Sequence, residues 1–493
     1  MAKTAKKKAP SKATKKAVVA APRRVWVRAK FDAAQTTAEN RRHWANADAC
    51  SPDAAFSTAA RKALRERAEY EAGNNSYLRG IVETLANDCI GTGPRLQLRL
   101  KSPEVNREIE REFKAWTVAI GLPDKLRTIR KCKAVRGEGF GLFKTNERLP
   151  TTVKLTLVPF EPDLCATPGL NLNQPVDGIE LDAVGEPRYY HILREHPGSG
   201  NAIGGFGEYD RVAASDVIHY FRADRAGQHR GIPDITPALP LFAQLRRYTL
   251  AVIAAAETAA DFAAVLESDG PASETEEATP FETLELEQRM MTVLPSGTKL
   301  NQIKAEQPTT TYGEFKKEIL NEIARCLNMP FNVAAGNSSS YNYSSGRLDH
   351  QTYYRSIDIE RSVIEAVILD RLLAKWLREA IMYRGYLSDA ALATLETVNN
   401  APPHAWFWDG QKHVDPQKEA NAEQIRLASR TTTYAQVFAD QGADWEEEFE
   451  QMGRELARMK QLGIPVPGET QPAADQADPA NQTNQDEGQN DEA

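Results

Sequence analysis

Two stretches of this sequence carry residue types suited to chemistry. The first is Asn337, Ser338, Ser339, Ser340, Tyr341, Asn342, Tyr343, Ser344, Ser345, Gly346 and Arg347, with His350 just beyond. A serine beside a histidine is a nucleophile beside its general base. Apart from His350, neither flanking segment offers a base, and that pairing alone is too little to specify acyl transfer. The second stretch holds Gly137, Gly139 and Gly141. A phosphate cradle needs GxGxxG before a helix or GxxxxGK[ST], and this cluster has neither spacing, so it reads as a helix-to-strand turn. Cys50, Cys89, Cys132, Cys165 and Cys326 form no CxxC pair and are expected to be reduced, buried or half-buried thiols. His191 and His196 stand five apart with no second pair nearby. No metal site, cofactor or catalytic residue is therefore expected, and Walker A, GxSxG and HExxH patterns are all missing. The chain reads as a non-enzyme.

The charges exclude one class of partner contact and leave another open. Residues 1–30 carry eleven Lys or Arg and no acid, and residues 464–493 carry seven acids and no base. Taken from the overall −7, this leaves −11 on residues 31–463. An acidic body argues against tight binding through phosphate neutralisation, yet not against nucleic acid sliding past. The basic arm over 1–22 is expected to be disordered. It serves either as a loose contact for nucleic acid or an acidic partner, or as a solubilising tail. The Pro-, Gln- and Asn-rich end is also expected to be disordered. The longest apolar run, over 251–266, is broken by Glu257 and Asp261, so no membrane partner or span is expected. The N-terminus has no apolar leader core, so secretion is not expected.

The elements that must position the polar run follow from periodicity. Helices are expected over 53–73, 74–89, 103–119 and 126–136, and strands over 95–100 and 142–146. Residues 150–221 alternate like short strands over 153–159, 178–181, 187–192 and 216–221. Thr236 followed by Pro237 opens a helix. Its pattern continues to about residue 266, roughly 31 residues or ~46 Å. Eight alanines over 251–264 suit either a buried core helix or one packed closely between subunits. An acidic excursion over 267–287 follows, then strands over 290–294 and 299–303 around a turn. A helix over 312–327 precedes the polar run. A second pattern over 348–384 follows it, on the order of 55 Å long. Asp415 and Pro416 open a last helical region ending near Gly463. A polar run so anchored is a connector, a ligand loop, or a surface that touches something polar and repetitive without gripping it.

Five blocks in this order resemble the lambda-type family of tailed-phage portal proteins. They are Arg61 to Arg65 with Asn74 to Tyr77 and Ile90 to Gly93; Val217 to Arg222 with Gly227 to Pro233; Leu294 to Gly297; Tyr341 to Arg347; and Asp415 to Ala420 with Gly442 to Trp445. Together they span about residues 61–463. The resemblance implies an α+β, mainly helical portal fold. After a basic arm (1–30) come a mixed α/β wing (31–235), a first stem helix (236–266), a clip (267–310) and a second stem helix (311–328). A tunnel loop (329–347), a long wing helix with its connector (348–400), a helical crown (401–463) and an acidic tail (464–493) complete it. It further implies a ring, usually of twelve copies, at one capsid vertex, passing double-stranded DNA at packaging and ejection. Terminase, head-completion or adaptor proteins and the major capsid protein would be its partners. Its place would be the virion, after assembly in the host bacterial cytoplasm. Twelve helices ~10 Å across in a ring leave a hole of roughly 28 Å, which admits duplex DNA. The polar run would be the DNA-facing tunnel loop, with Arg347 expected to cap or pair at the junction with the following helix. Two other readings remain open from the residues: a metal-dependent nuclease or other DNA-processing enzyme, and a structural scaffold that never contacts DNA.

Overall fold

The computed structural model describes residues 37–38, 41–47, 49–167, 176–199, 208–261, 265–268, 298–301, 312–339, 342–397, 402–410 and 416–465. The chain divides into two units, 1–51 and 52–493. In the first, the described residues form turns over 41–46, with His43 and Trp44 edge to face.

The second unit opens with α1 (Pro52–Ala55), α2 (Thr58–Asn74) and α3 (Ser76–Ile90), where one helix over 53–73 was expected first. Asn75 separates α2 from α3 in extended backbone, its side chain accepting from the amides of Tyr77 and Leu78. That cap supplies acceptors for two otherwise unpaired amides. After β1 (Arg95–Leu98) come α4 (Pro103–Ala119) and α5 (Leu122–Arg136). Helix α5 starts four residues ahead of its expected start, because Gly121 in the left-handed region and Pro123 open it together.

The glycine cluster corrects the sequence reading. Only Gly137 is a turn, left-handed at φ 86°, and β2 (Glu138–Thr145) begins immediately after it. Gly139 and Gly141 lie inside the strand. A Cβ on Gly139 would come within 2.6 Å of Ile129, and one on Gly141 within 2.7 Å of Leu157. These glycines let a helix and a neighbouring strand press onto β2. At Gly137 a Cβ would meet the backbone of Ile232 at 2.4 Å. Gly137→Ala is therefore expected to lower unfolding free energy by about 2–4 kcal/mol, measurable by urea titration.

Strand β2 is the centre of an antiparallel sheet, order β3-β2-β7, with β3 at Leu155–Phe160 and β7 at Val217–Phe221. A second antiparallel sheet runs β4 (Ile179–Leu181), β5 (Pro187–Leu193), β6 (Tyr209–Ala213). Its outer strand β6 is absent from the sequence reading. Tyr209, Asp210 and Arg211 are exposed, so β6 lacks the apolar alternation that marks a half-buried strand.

Next come α6 (Leu239–Asp261), β8 (Val265–Ser268) and β9 (Thr298–Asn301), the two strands pairing antiparallel. The helix expected to reach residue 266 thus stops at Asp261. Alanine favours helix, but β-branched Val265 heads a strand that β9 can pair. The strand expected over 290–294 lies outside the described residues. Helices α7 (Tyr312–Arg325), α8 (Phe331–Ala335) and α9 (Tyr343–Ile364) follow. A π-helical turn, Glu365–Leu369, joins α9 to α10 (Asp370–Met382). The continuous rod over 343–382 is ~60 Å long. Helix α11 (Asp389–Glu396) leads to β10 (His404–Phe407), which pairs with β1. Helices α12 (Pro416–Ala428), α13 (Tyr434–Asp440) and α14 (Trp445–Leu462) complete the described chain.

The main core is built from α3, α4, α5, β3 and α10, and it centres on Phe113, Trp116 and Trp376 with ring centroids 5.2–6.2 Å apart. Trp116 donates its indole N–H to the Leu155 carbonyl at 3.0 Å, so its polar edge is satisfied in the core. A smaller core around Phe140, Ile179, Tyr190 and Val217 joins the two three-stranded sheets. The mixed architecture is α+β and mainly helical. No helix among the described residues is long and apolar enough to cross a membrane.

Candidate functional site

The polar run hangs between two anchored helices. Past α7, Asn328 adopts φ 53°, Met329 is buried, and Pro330 opens α8. Gly336, left-handed at φ 63°, ends α8. From there Asn337, Ser338 and Ser339 are exposed. The amide of Asn337 donates to the Asn332 carbonyl at 3.0 Å. The Asn337 side chain in turn accepts from the Ser339 amide at 2.9 Å, an Asx turn. Ser340 and Tyr341 lie outside the described residues. Asn342 is exposed, and its carbonyl accepts from the Gly346 amide at 3.1 Å, within the first turn of α9.

One expectation changes here. Tyr343, Ser344, Ser345 and Arg347 belong to α9, so of the described residues 336–339 and 342 lie outside helices and the long helix begins five residues ahead of residue 348. Serine and glycine are poor helix formers. Downstream turns of α9 are fixed to the core, however, and adding turns to a formed helix costs far less than nucleating one. Arg347 is exposed, and among the described residues its side chain has no hydrogen bond or ion pair. Its cation stands in the first turns of α9, the end where the helix dipole disfavours positive charge.

His350 is committed elsewhere. Its Nε2 lies 3.0 Å from Nδ2 of Asn332 and its Nδ1 lies 3.4 Å from the Tyr354 hydroxyl. A second Asn332 contact, to Ser338 Oγ at 3.4 Å, places an amide between that serine and the histidine. The arrangement orders the turn, and among the described residues His350 meets an amide and a phenol and no serine hydroxyl.

What holds α9 in place is α3. The Tyr353 hydroxyl donates to Asp88 Oδ2 at 2.7 Å. Burial, reinforced by Asp88, pushes that phenol well above its ordinary range. Arg361 donates to the carbonyls of Cys89 and Asp88, each at 3.0 Å, and to that of Asp409 at 3.3 Å. A guanidinium on the last carbonyls of a helix satisfies acceptors that have no partner within it. The blocks around Cys89 and Asp409 are thereby tied to the helix bearing the polar run.

Sequence reasoning missed a buried charge cluster. Glu138 is fully buried at the start of β2. It accepts from Arg230 at 2.7 and 2.9 Å, the Gly231 amide at 2.9 Å and His219 at 3.1 Å, and it forms a close pair with Arg65. Arg61 lies 4.0 Å away and donates to Asp177 at 2.9 Å. Burial alone would raise the Glu138 pKa. Arg230, His219 and Arg65 outweigh it and hold the carboxyl well below its ordinary 4.5. Arg61 and Arg65 are four apart on a helix face shared with buried Ala68. That spacing of arginines in line with an apolar position is the signal that could have revealed the cluster. Two of the five blocks, Arg61 to Arg65 and Val217 to Pro233, meet at this one carboxylate.

Glu161, Asp163 and His196 also converge, with ligand-type atoms within 4.8 Å of one another. Arg136 pairs with both carboxylates, at 3.2 and 2.9 Å. His196 Nδ1 accepts from the Gly198 amide at 3.0 Å, and its Nε2 lies 3.0 Å from Glu161 without making a hydrogen bond. The cluster is internally paired as an ion network. Cys50 is exposed, contrary to the expectation for the thiols, whereas Cys89 and Cys165 are buried and Cys132 and Cys326 half-buried.

Four of the five blocks fall within the match to one known family. The sequence model of the family described as "Phage portal protein, lambda family" matches residues 38–361. The "Probable portal protein" of Halomonas phage phiHAP-1 is 23% identical over 433 residues, covering 82% of this chain and 82% of that protein. "Portal protein B" of Escherichia phage lambda is 24% identical over 176 residues, covering 35% of this chain and 33% of that protein. Among solved structures, a chain of the virion of the native gene transfer agent particle is 14% identical, with a TM-score of 0.44, over 87% of this chain and 99% of that one. With a family model spanning well over half its length, this chain belongs to the lambda family of phage portal proteins.

Proposed function

We propose that copies of this chain form a ring, twelve in number, at one vertex of a capsid, and that double-stranded DNA passes through it at packaging and ejection. The observation that carries the reading is the exposed, uncharged turn of Asn337, Ser338, Ser339 and Asn342 at the head of a ~60 Å rod, in a body of net charge −11 over residues 31–463. Many lysines at such a place would grip phosphates and stall a sliding duplex. Hydroxyls and amides offer hydrogen bonds without net attraction. Arg347 is the exception, an exposed cation next to the turn, and in this reading it touches the passing backbone. Helices α6 and α7 would be the stem, the region bracketed by β8 and β9 the clip that receives terminase and later the head-completion proteins, and α12 to α14 the crown. The parts up to about residue 235 would face the major capsid protein.

The test adds charge where its absence is the point. Ser338→Lys with Ser339→Lys, introduced into the phage, is expected to cut DNA packaged per head by about tenfold at low salt, with partial recovery as salt is raised. Genome content of purified heads gives the measurement. Heads that fill as in wild type would remove the DNA-facing role from this turn. Particle mass of the purified protein tests the ring separately, and a stable monomer at high concentration would overturn it.

A further inference from the structure

Helices α12, α13 and α14 contain no buried side chain among their described residues. Yet α14 carries Trp445, Phe449, Met452, Leu456 and Met459 at alternating steps of four and three. That spacing is the narrow seam of a helix packed along another helix. The opposite face is already used. Glu447, Glu450 and Arg454 line a cleft of about 610 Å³ with Arg107 and Arg111 of α4, Glu448 reaches its rim from the edge of the seam, and Arg107 pairs with Glu450 at 2.8 Å. At 3.6 residues per turn Glu447, Glu450 and Arg454 lie roughly 180° from the seam. Helix α14 thus meets α4 through its charged face at Glu450, while part of its apolar seam stays open to solvent.

Part of the seam is covered within the chain. Phe449 makes edge contacts with Tyr434, Phe438 and Trp445. Met452 and Leu456 are left 42% and 40% exposed. One edge of the seam carries Glu448 and Glu455. Helix α12, at 13 residues too short to hold its form alone, exposes Ile425 at 68%, with Arg426 beside it and Arg430 just past its end. The two surfaces match in apolar character and oppose each other in charge.

We infer that the outward seam of α14 is the docking surface for α12 of a second copy of this chain, with Ile425 against Met452 and Leu456, and with Arg426 and Arg430 facing Glu448 and Glu455. The inference rests on the ring proposed above. The two surfaces are different, so the contact is head-to-tail, the kind that closes into a ring and does not stop at a dimer.

Cysteine pairing tests the contact in the full-length chain, with exposed Cys50 replaced by serine. Ile425→Cys combined with Leu456→Cys is expected to give, on mild oxidation, a ladder of dimers, trimers and larger species on a non-reducing gel. Neither single replacement should do so. Met452→Glu with Leu456→Glu is expected to reduce the assembled fraction about tenfold. Arg426→Glu with Arg430→Glu should weaken assembly, and Glu448→Arg with Glu455→Arg added should restore it. Rings that form normally, give no ladder and tolerate the Met452 and Leu456 changes would overturn this inference and leave the ring intact. Dimers from Leu456→Cys alone would show the seam meeting itself, and would also overturn it. A wild-type protein that stays monomeric at every concentration would overturn both readings.

Discussion

Glu138→Ala is expected to cost about 3–5 kcal/mol of unfolding free energy, the largest loss from any single ionisable side chain among the described residues. Arg230, Arg65 and the more distant Arg61 would lose the carboxylate that offsets their burial, and Arg61 Nη1 already lacks a hydrogen-bond partner. Urea unfolding followed by circular dichroism would measure it. A loss under about 1 kcal/mol would mean that water or the remaining acids, Asp163 and Asp177, take over the pairing. The same cluster sets a pH dependence. The Glu138 carboxyl is held below 4.5 in the fold, so its contribution is fully present above 4.5 and is lost as pH falls through the lower folded value. His219 is held below its ordinary 6.5, chiefly by burial, against the opposing pull of Glu138. The unfolded chain therefore takes up that proton first, and stability declines as pH drops below 6.5. Acid destabilisation should begin below 6.5 and steepen below 4.5, and Glu138→Gln should remove the steeper part.

The second large effect is expected at Glu360, where the rod over 343–382 meets the sheet. Glu360 Oε1 forms close contacts with Lys133 and with the Tyr220 hydroxyl, and lies 3.7 Å from Arg130. Arg130 is itself paired with buried Asp234 at 3.0 Å. Glu360→Leu strands a lysine that is 4% exposed. It should cost about 2–4 kcal/mol, less than Glu138 because Glu360 is 19% exposed. Lys133→Met added to Glu360→Leu should recover at least half of that loss, since an apolar pair avoids the desolvation both charges suffer. Burial already lowers the Lys133 pKa, which makes the ammonium the partner that gains most from replacement. Denaturant midpoints of the two single variants and the double variant close the cycle. A double variant as unstable as the sum of the singles would mean the pair acts through the backbone of α9 and not through its charges.

These networks also explain which parts of the molecule were legible beforehand. Helix α4 was read to the residue because Ser102, Pro103 and an apolar period over Val105, Ile109, Phe113 and Trp116 are all local signals. The exposed outer strand β6 carries no such signal, and sequence alone did not find it. The polar run was found by composition, but its length was overestimated. The first turn of α9 is helical because Tyr353 and Arg361, ten and eighteen residues further on, are fixed to α3. Nothing within residues 343–347 announces that.

Composition and order of blocks were enough to determine an acidic body, the α+β, mainly helical class, the missing catalytic motifs and membership of the portal family. Each is a sum over residues or a pattern along the chain. Only the tertiary structure decided which blocks meet. Arg61 and Arg65 of α2, Glu138 of β2, His219 of β7 and Arg230 come from positions up to 169 residues apart and share one buried carboxylate. Pairing energy between charges depends on distance and burial, and neither is written in sequence separation. The placing of α14 has the same cause. The period of its apolar residues was in the sequence, but which face met the chain's own α4 was settled by Arg107 and Glu450 coming together in space.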